Sequence, residues 1–213
     1  ADFQFVLGKH VWPNSQLKAR FNTKRQSLDL QMDKGLISPL VDLLLFSGAA
    51  PKDALEDMLR TLEMKGLFRH LSVHAEIKDP SAFVLSTELA SLRFNAWRNI
   101  PAARGLSGLV RVTPGTGTFL LDAKRVYLDL DKYFRQALTL DRIQGPLSWR
   151  INEDNISVQS GEWTASNDDV QAHAVFSVRV PRHQNNSAPS MVVSGAESLA
   201  RPETVPVPVG PAP

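Results

Sequence analysis

His70 and His74 have the H-x-x-x-H spacing that on a helix brings two imidazoles to one side, where they would supply half of a metal site. Their surroundings argue against it. Leu71, Val73, Ala75 and Ile77 alternate with Ser72, His74 and Glu76, a strand period, and residues four apart on a strand sit about 13 Å from each other. His10, His173 and His183 are scattered. Gly105-Leu106-Ser107-Gly108 has the wrong register for the G-x-S-x-G turn that exposes a serine nucleophile, and its glycine reads better as a strand residue with a close neighbour. Gly115-Thr116-Gly117 lacks a third glycine and a following helix, so it reads as a hairpin turn and not a phosphate loop. The acid pairs Glu153-Asp154 and Asp168-Asp169 fall between strand patterns, where carboxylates are commonly solvated. Cysteine is absent, which removes thiol catalysis, disulfides and thiolate metal sites together. The expectation is a protein that is not an enzyme and needs no cofactor or metal.

Any binding surface must therefore be built on strands. From residue 69 to residue 180 one parity is apolar and the other polar, with strands expected over 70–77, 83–94, 106–112, 118–130, 143–151, 156–164 and 169–180. Pro114-Gly115-Thr116-Gly117 and Asn152-Glu153-Asp154-Asn155 are short turns that join antiparallel neighbours. Gly161, where parity slips between Val158 and Trp163, marks a bulge. Of the tryptophans Trp12, Trp97, Trp149 and Trp163, Trp149 shares parity with Leu147 and Ile151 and belongs to the apolar face.

Upstream, weak alternation through Phe3, Phe5 and Leu7, then Leu17, Ala19 and Phe21, then Leu28, Leu30 and Met32 gives a β-meander over 1–34. A helical hairpin follows over 35–66. Ser38-Pro39 reads as an N-cap with proline at the first helical position, and Leu40, Leu43 and Leu44 form a stripe closed by Gly48. A second helix starts near Pro51, with Leu55, Met58, Leu59 and Leu62 at i, i+3, i+4 and i+7 and Gly66 as its stop. The sheet occupies 67–181. Seven of the fourteen prolines lie in 181–213, and residues 182–213 read as a mobile, Pro-rich tail without period. The fold class is mainly β: a long antiparallel meander sheet curved into an open hydrophobic groove, with one helical hairpin.

A chain of 213 residues with 43% apolar content buries a substantial core. Lys9, Lys18, Arg20, Lys24, Arg25 and Lys34 outnumber Asp2, Asp29 and Asp33 near the start, but the formal charge of the whole is +2, so nucleic acid is not an expected partner. The strongest apolar run, residues 36–46, is short of the roughly 18 residues a membrane-spanning helix needs. The chain opens in a strand pattern, so its first residue reads as an internal cut through a longer protein.

A succession of spaced signatures is more specific than periodicity. Leu92-Arg93-Phe94-Asn95-Ala96-Trp97 is followed by Ile100-Pro101, Leu106-Ser107-Gly108, Leu120-Leu121-Asp122, Tyr133-Phe134-Arg135, Leu140-Asp141, Ile143-Gln144-Gly145 and Leu147-Ser148-Trp149, with Leu62-Glu63-Met64-Lys65-Gly66 before them. Over roughly residues 1–182 this resembles the middle of the YhdP proteins of the AsmA-like superfamily. The resemblance implies a segment of a large envelope protein of Gram-negative bacteria, periplasmic and held in the inner membrane by an N-terminal helix absent from this sequence. It implies β-strands rolled into a groove and phospholipid as the partner, carried between inner and outer membranes, with membrane contact made by other segments. The Pro-rich end departs from the strand pattern such a protein would continue.

The residues expected to line the groove are Phe119, Leu121, Leu147, Trp149, Ile151, Ile156, Val158, Ala172, Ala174, Phe176 and Val178, the apolar parity of the later strands. Burial of acyl chains there is worth about 0.8 kcal/mol per CH₂ and requires no specific polar group. The same apolar parity would also serve packing against the hairpin or a second sheet. A competing reading is an envelope scaffold or an outer-membrane protein assembly factor like the related TamB proteins, acting on a protein partner through strand edges.

Overall fold

The structure, a computed structural model, describes residues 2–3, 6–7, 10–11, 15–46, 54–79, 82–98, 100–129, 137–168, 170–181 and 190–200. It is mainly β, one antiparallel meander with two helices. Three short strands, β1 (Asp2–Phe3), β2 (Val6–Leu7) and β3 (His10–Val11), precede β4 (Ser15–Asn22) and β5 (Ser27–Leu36). Helices α1 (Ile37–Phe46) and α2 (Ala54–Leu62) come next. Then follow β6 (Lys65–Glu76), β7 (Phe83–Phe94), β8 (Ala102–Thr113), β9 (Thr116–Asp129), β10 (Leu138–Ile151), β11 (Asn155–Ser160), β12 (Trp163–Ser166), β13 (Val170–Pro181) and β14 (Ser190–Ala200). From β4 to β10 each strand pairs with the next; β11 and β12 are two halves of one interrupted strand, both lying between β10 and β13.

The interruption is where Gly161 slips the parity. Pro146 on β10 has no N–H for the ladder, and its carbonyl accepts from Gly161 N (3.0 Å) and from Trp163 Nε1 (2.8 Å). The β8–β9 turn places Pro114 before Gly115, whose φ of 71° suits the second central position of a type II turn. Three boundaries differ from the sequence reading. Helix α1 starts at Ile37, so Ser38 lies inside it rather than capping it, a shift of the size helix ends commonly show. Gly66 belongs to β6, with α2 already closed at Leu62. Inside the segment read as a tail without period, β14 pairs with β13; Val192 and Val193 supply the β-branched residues that prolines nearby obscured. Gly48 and Pro51, named as helix signals, lie outside the described residues.

The sheet carries a feature that strict alternation hides. Inward-facing residues on successive strands jump by three at one point: Phe68 to Leu71, Leu89 to Leu92, Ala103 to Leu106, Ala123 to Val126 and Leu140 to Ile143. Beside four of the jumps the backbone turns left-handed, at His70 (φ 51°), Ser91 (53°), Gly105 (87°) and Arg125 (56°), and the pairing register shifts between β6 and β7, β7 and β8, and β8 and β9. These are β-bulges aligned obliquely across the sheet into a crease. A bulge bends and twists its strand while returning the apolar side chains to the same face. The deepest burial lies beside it, with Phe68, Ala123 and Val126 at 1%, 1% and 0% exposure.

The helices pack on the apolar face, α1 against β6 and α2 against Trp97 and residues of β10, β11 and β13. Leu40 of α1 packs with Phe68 and Leu71, and Ile37 lies against Gly66. Leu59 and Leu62 of α2 are buried as its spacing required, while Glu56 and Arg60 make an i,i+4 ion pair of 2.8 Å on its wet side. Trp97, buried in the β7–β8 connection, donates Nε1 to Asp57 at 2.8 Å, and Asn95 N donates to Leu62 O at 2.8 Å.

The crease makes a direct prediction. Arg125→Val forces a β-branched residue into a left-handed backbone and should lower stability by about 1–3 kcal/mol, whereas Lys124→Val beside it should be close to neutral and Arg125→Gly neutral or stabilising. Urea unfolding of the three variants checks this; equal losses at 124 and 125 would refute the bulge.

Candidate functional site

The eleven residues expected to line the groove fall on neighbouring strands and on one face. Phe119 and Leu121 lie on β9, Leu147, Trp149 and Ile151 on β10, Ile156 and Val158 on β11, and Ala172, Ala174, Phe176 and Val178 on β13. Cross-strand register joins Phe119 to Leu147, Trp149 to Val158, Ile151 to Ile156 and Val158 to Val178. Two of them are already enclosed by protein. Leu121 (2% exposed) packs with Ala123, Val126, Leu140 and Ile143, and Ile156 (7%) shares a core with Leu62 of α2 and with Trp97, flanked by Met58, Ile151, Val158 and Val178. The other nine are half-buried.

The face is longer than the sequence reading made it. One row of paired residues runs Ala19, Leu30, Val73, Leu85, Val112, Gly117, Trp149, Val158 and Val178, apolar at every position from β4 to β13. Nine strands at about 4.8 Å spacing make this row about 38 Å long. The next row contains Thr87 and Ser160, and both hydroxyls turn into the ladder. Thr87 Oγ1 donates to Arg69 O at 2.8 Å, and Ser160 Oγ accepts from Phe176 N at 2.7 Å. A polar residue satisfied by backbone presents little but its carbon atoms to the surface.

Aromatic rings are laid over glycines on this face. The ring of Trp149 covers Gly117, that of Trp163 covers Gly145, and Phe119 Cε2 lies 2.8 Å from where a Cβ on Gly108 would be. A missing Cβ lets a cross-strand aromatic lie down on the backbone, the device by which aromatics rescue glycine in sheets. Trp163 also meets Phe176 edge-on, with ring centroids 5.1 Å apart. The result is an apolar floor of low relief. Val110, Val112, Trp163 and Ala165 share it and were missed; pairing of Val110 with Phe119 and of Ala165 with Ala172 places the aliphatic ones, whereas the bulge at Gly161 hid the parity of Trp163.

The opposite face is more polar and carries ion pairs of Arg69 with Glu88 (3.9 Å) and Arg142 with Asp122 (3.2 Å), and contacts of His74 with Asp29 (2.7 Å) and His173 with Glu162 (3.4 Å). All are solvent-screened and contribute little individually. His70 lies 3.6 Å from Glu88, so the H-x-x-x-H pair is split between two carboxylate partners on neighbouring strands. Among the described residues no three His, Asp or Glu side chains gather as metal ligands, and no helix is long and apolar enough to cross a membrane.

A family described as YhdP protein matches residues 2–203, nearly the whole chain. The chain belongs to the YhdP family. The AsmA-like superfamily is a coarser placement consistent with it. Comparison with curated proteins and with solved structures gave no match. The matched residues include the helical hairpin, the crease and every strand of the apolar row.

Gly117→Ala tests the aromatic floor. The added methyl collides with the Trp149 ring, which must lift or rotate, and stability should fall by about 1–3 kcal/mol. Tryptophan emission should change with it. An unaltered spectrum and melting temperature would show that the ring does not lie on the glycine.

Proposed function

We propose that this chain is a segment of a periplasmic β-groove protein that carries phospholipids between the inner and outer membranes, with acyl tails sliding along the apolar face. The observation that carries the reading is the unbroken apolar row from Ala19 to Val178. Its length of about 38 Å exceeds the roughly 30 Å hydrocarbon thickness of a bilayer, which is two tails deep. Helix α1 packs on β6, whereas Leu62 and Met58 of α2 share a core with Trp97, Ile156, Val158 and Val178, so the hairpin covers the β11–β13 end of the row and leaves the rest of it to a ligand. Membership of the YhdP family supports the reading at the level of the family.

A ligand held by area alone moves differently from one held by a polar site. Each CH₂ withdrawn from water gains about 0.8 kcal/mol wherever along the row it lies, so neighbouring positions are nearly equal in energy and the barrier between them is low. Catalysis makes the opposite demand, since it needs polar groups fixed to about half an ångström. The face supplies none, and we take the protein to be non-enzymatic, with no cofactor. Periplasmic location and inner-membrane anchoring through another segment belong to the same proposal.

The competing scaffold or assembly-factor reading relies on edges. Among the described residues β4 pairs on its outer side only through Ser15 and Gln16 with β1, which leaves 17–22 as an edge. Lys18 and Arg20 stand on it, and basic residues on an edge discourage further pairing. The apolar face is the better-supported surface.

Ala174→Asp and Phe176→Glu should each abolish phospholipid that co-purifies with the wild-type protein, while circular dichroism still reports a folded sheet. A photoreactive residue at position 174 should yield a lipid adduct in cells. Mass spectrometry finding no lipid on the wild-type protein, or an adduct to protein alone, would overturn the reading.

A further inference from the structure

The polar face holds a depression of about 590 Å³ whose rim carries Arg111, Arg150 and Arg179. It is built by register. Arg111 on β8 pairs with Thr118, which pairs with Ser148; Arg150 on β10 pairs with Ser157, which pairs with Arg179 on β13. At strand spacings of about 4.8 Å, the Cα atoms of Arg150 and Arg179 lie about 10 Å apart, and Arg111 sits on the far side of the hydroxyls. Arg111 and Arg179, four strand steps apart, lie about 20 Å from each other at the two ends of the depression, with Arg150 between them.

Two properties separate this cluster from Arg69 and Arg142 on the same face. No carboxylate lines the depression, and none of the three arginines makes an ion pair among the described residues, whereas Arg69 and Arg142 are each matched to an acid across the sheet. Three like charges gathered without counter-charge repel one another, and the arrangement is relieved by an anion. Hydroxyls of Thr118, Ser148 and Ser157 lie between them, a donor set suited to phosphate oxygens, which guanidinium groups bind in bidentate fashion.

We infer that this depression binds a phosphate group through Arg111, Arg150 and Arg179. A second depression of about 580 Å³ adjoins it, sharing Arg111, Thr118, Ser148 and Gln159, and its floor includes Leu109 and Leu120. These leucines are 57% and 54% exposed, the two most exposed apolar side chains of this face, and directly paired. An apolar slot beside a cationic one suits a phosphate that bears a hydrocarbon substituent, although the cationic slot alone suits a free phosphate ester. The site lies on the opposite side of the sheet from the acyl-chain face and stands or falls separately from it.

Calorimetric titration of the full chain with glycerol 1-phosphate, and separately with dihexanoyl phosphatidylglycerol below its micellar concentration, tests the inference. Arg111→Gln, Arg150→Gln and Arg179→Gln should each weaken binding about tenfold, the loss of one charge-assisted contact, with melting temperature unchanged because all three side chains are exposed. Lys124→Gln, elsewhere on β9, should not. Tighter binding of the tailed probe, with the excess lost in Leu120→Ser, assigns the site to a lipid headgroup; equal binding of the two assigns it to a soluble phosphate ester. No binding of either probe, or binding that Lys124→Gln weakens as much as the arginine variants, would overturn it.

Discussion

One constraint governs this molecule: strands of twelve to fourteen residues must bend and still keep their apolar side chains on a single face. A period of exactly two cannot accommodate a sharp local bend, because any inserted residue sends every later side chain to the other side. The strands solve this with an insertion that skips one step, so that inward residues three apart flank each bulge. A left-handed residue costs on the order of 1–3 kcal/mol where it is not glycine, and His70, Ser91 and Arg125 all occupy that region. The cost is offset by the most complete burial in the sheet, at Phe68, Ala123 and Val126. Neighbouring strands must break near the same level, or their ladders would part. The crease is therefore a property of the sheet and not of any one strand.

This explains which parts of the fold were legible beforehand. Three strands were read as starting at residues 70, 106 and 143, and each of these points is the crease itself. The segments before them, Lys65 to Arg69, Ala102 to Gly105 and Leu138 to Arg142, are strand of the opposite parity, and alternation scored in one phase discards them. The turns at Pro114-Gly115 and at residues 152–155 were legible because their chemistry is local. Helix α2 was legible because Leu59 and Leu62 bury at helical spacing. The site residues shared parity, and that was sufficient to put all eleven on one face. Parity could not show that Leu121 is enclosed by Leu140 and Ile143, since those residues come from across the crease on another strand.

The two faces divide the chemistry of the chain. On the apolar side even the polar residues are internally satisfied, Thr87 by Arg69 O and Ser160 by Phe176 N, and glycines are placed where an aromatic ring needs the room. On the other side the charges are arranged in cross-strand pairs whose members are about half exposed, so they contribute to register more than to stability. Exposed apolar residues are also found here, Leu109 and Leu120 among them. A sheet with this division has no need of a second layer to be specific. Its register is set by pairing on one side and by the crease on the other.

The division also bears on how such a surface binds. Enclosed sites derive selectivity from a few polar groups and lose it when those groups move by an ångström. An apolar row of nine strands has no privileged position, so its affinity scales with contact length and survives the loss of any single side chain smaller than the contact. A charge placed on the row is different in kind. It must stay hydrated, and a hydrated carboxylate at Ala174 or Phe176 breaks the apolar surface of β13 beside Val178, where the row ends, instead of thinning it. Substitutions among apolar residues should therefore be graded in effect and charged ones should be abrupt, a contrast that separates a continuous surface from a discrete pocket.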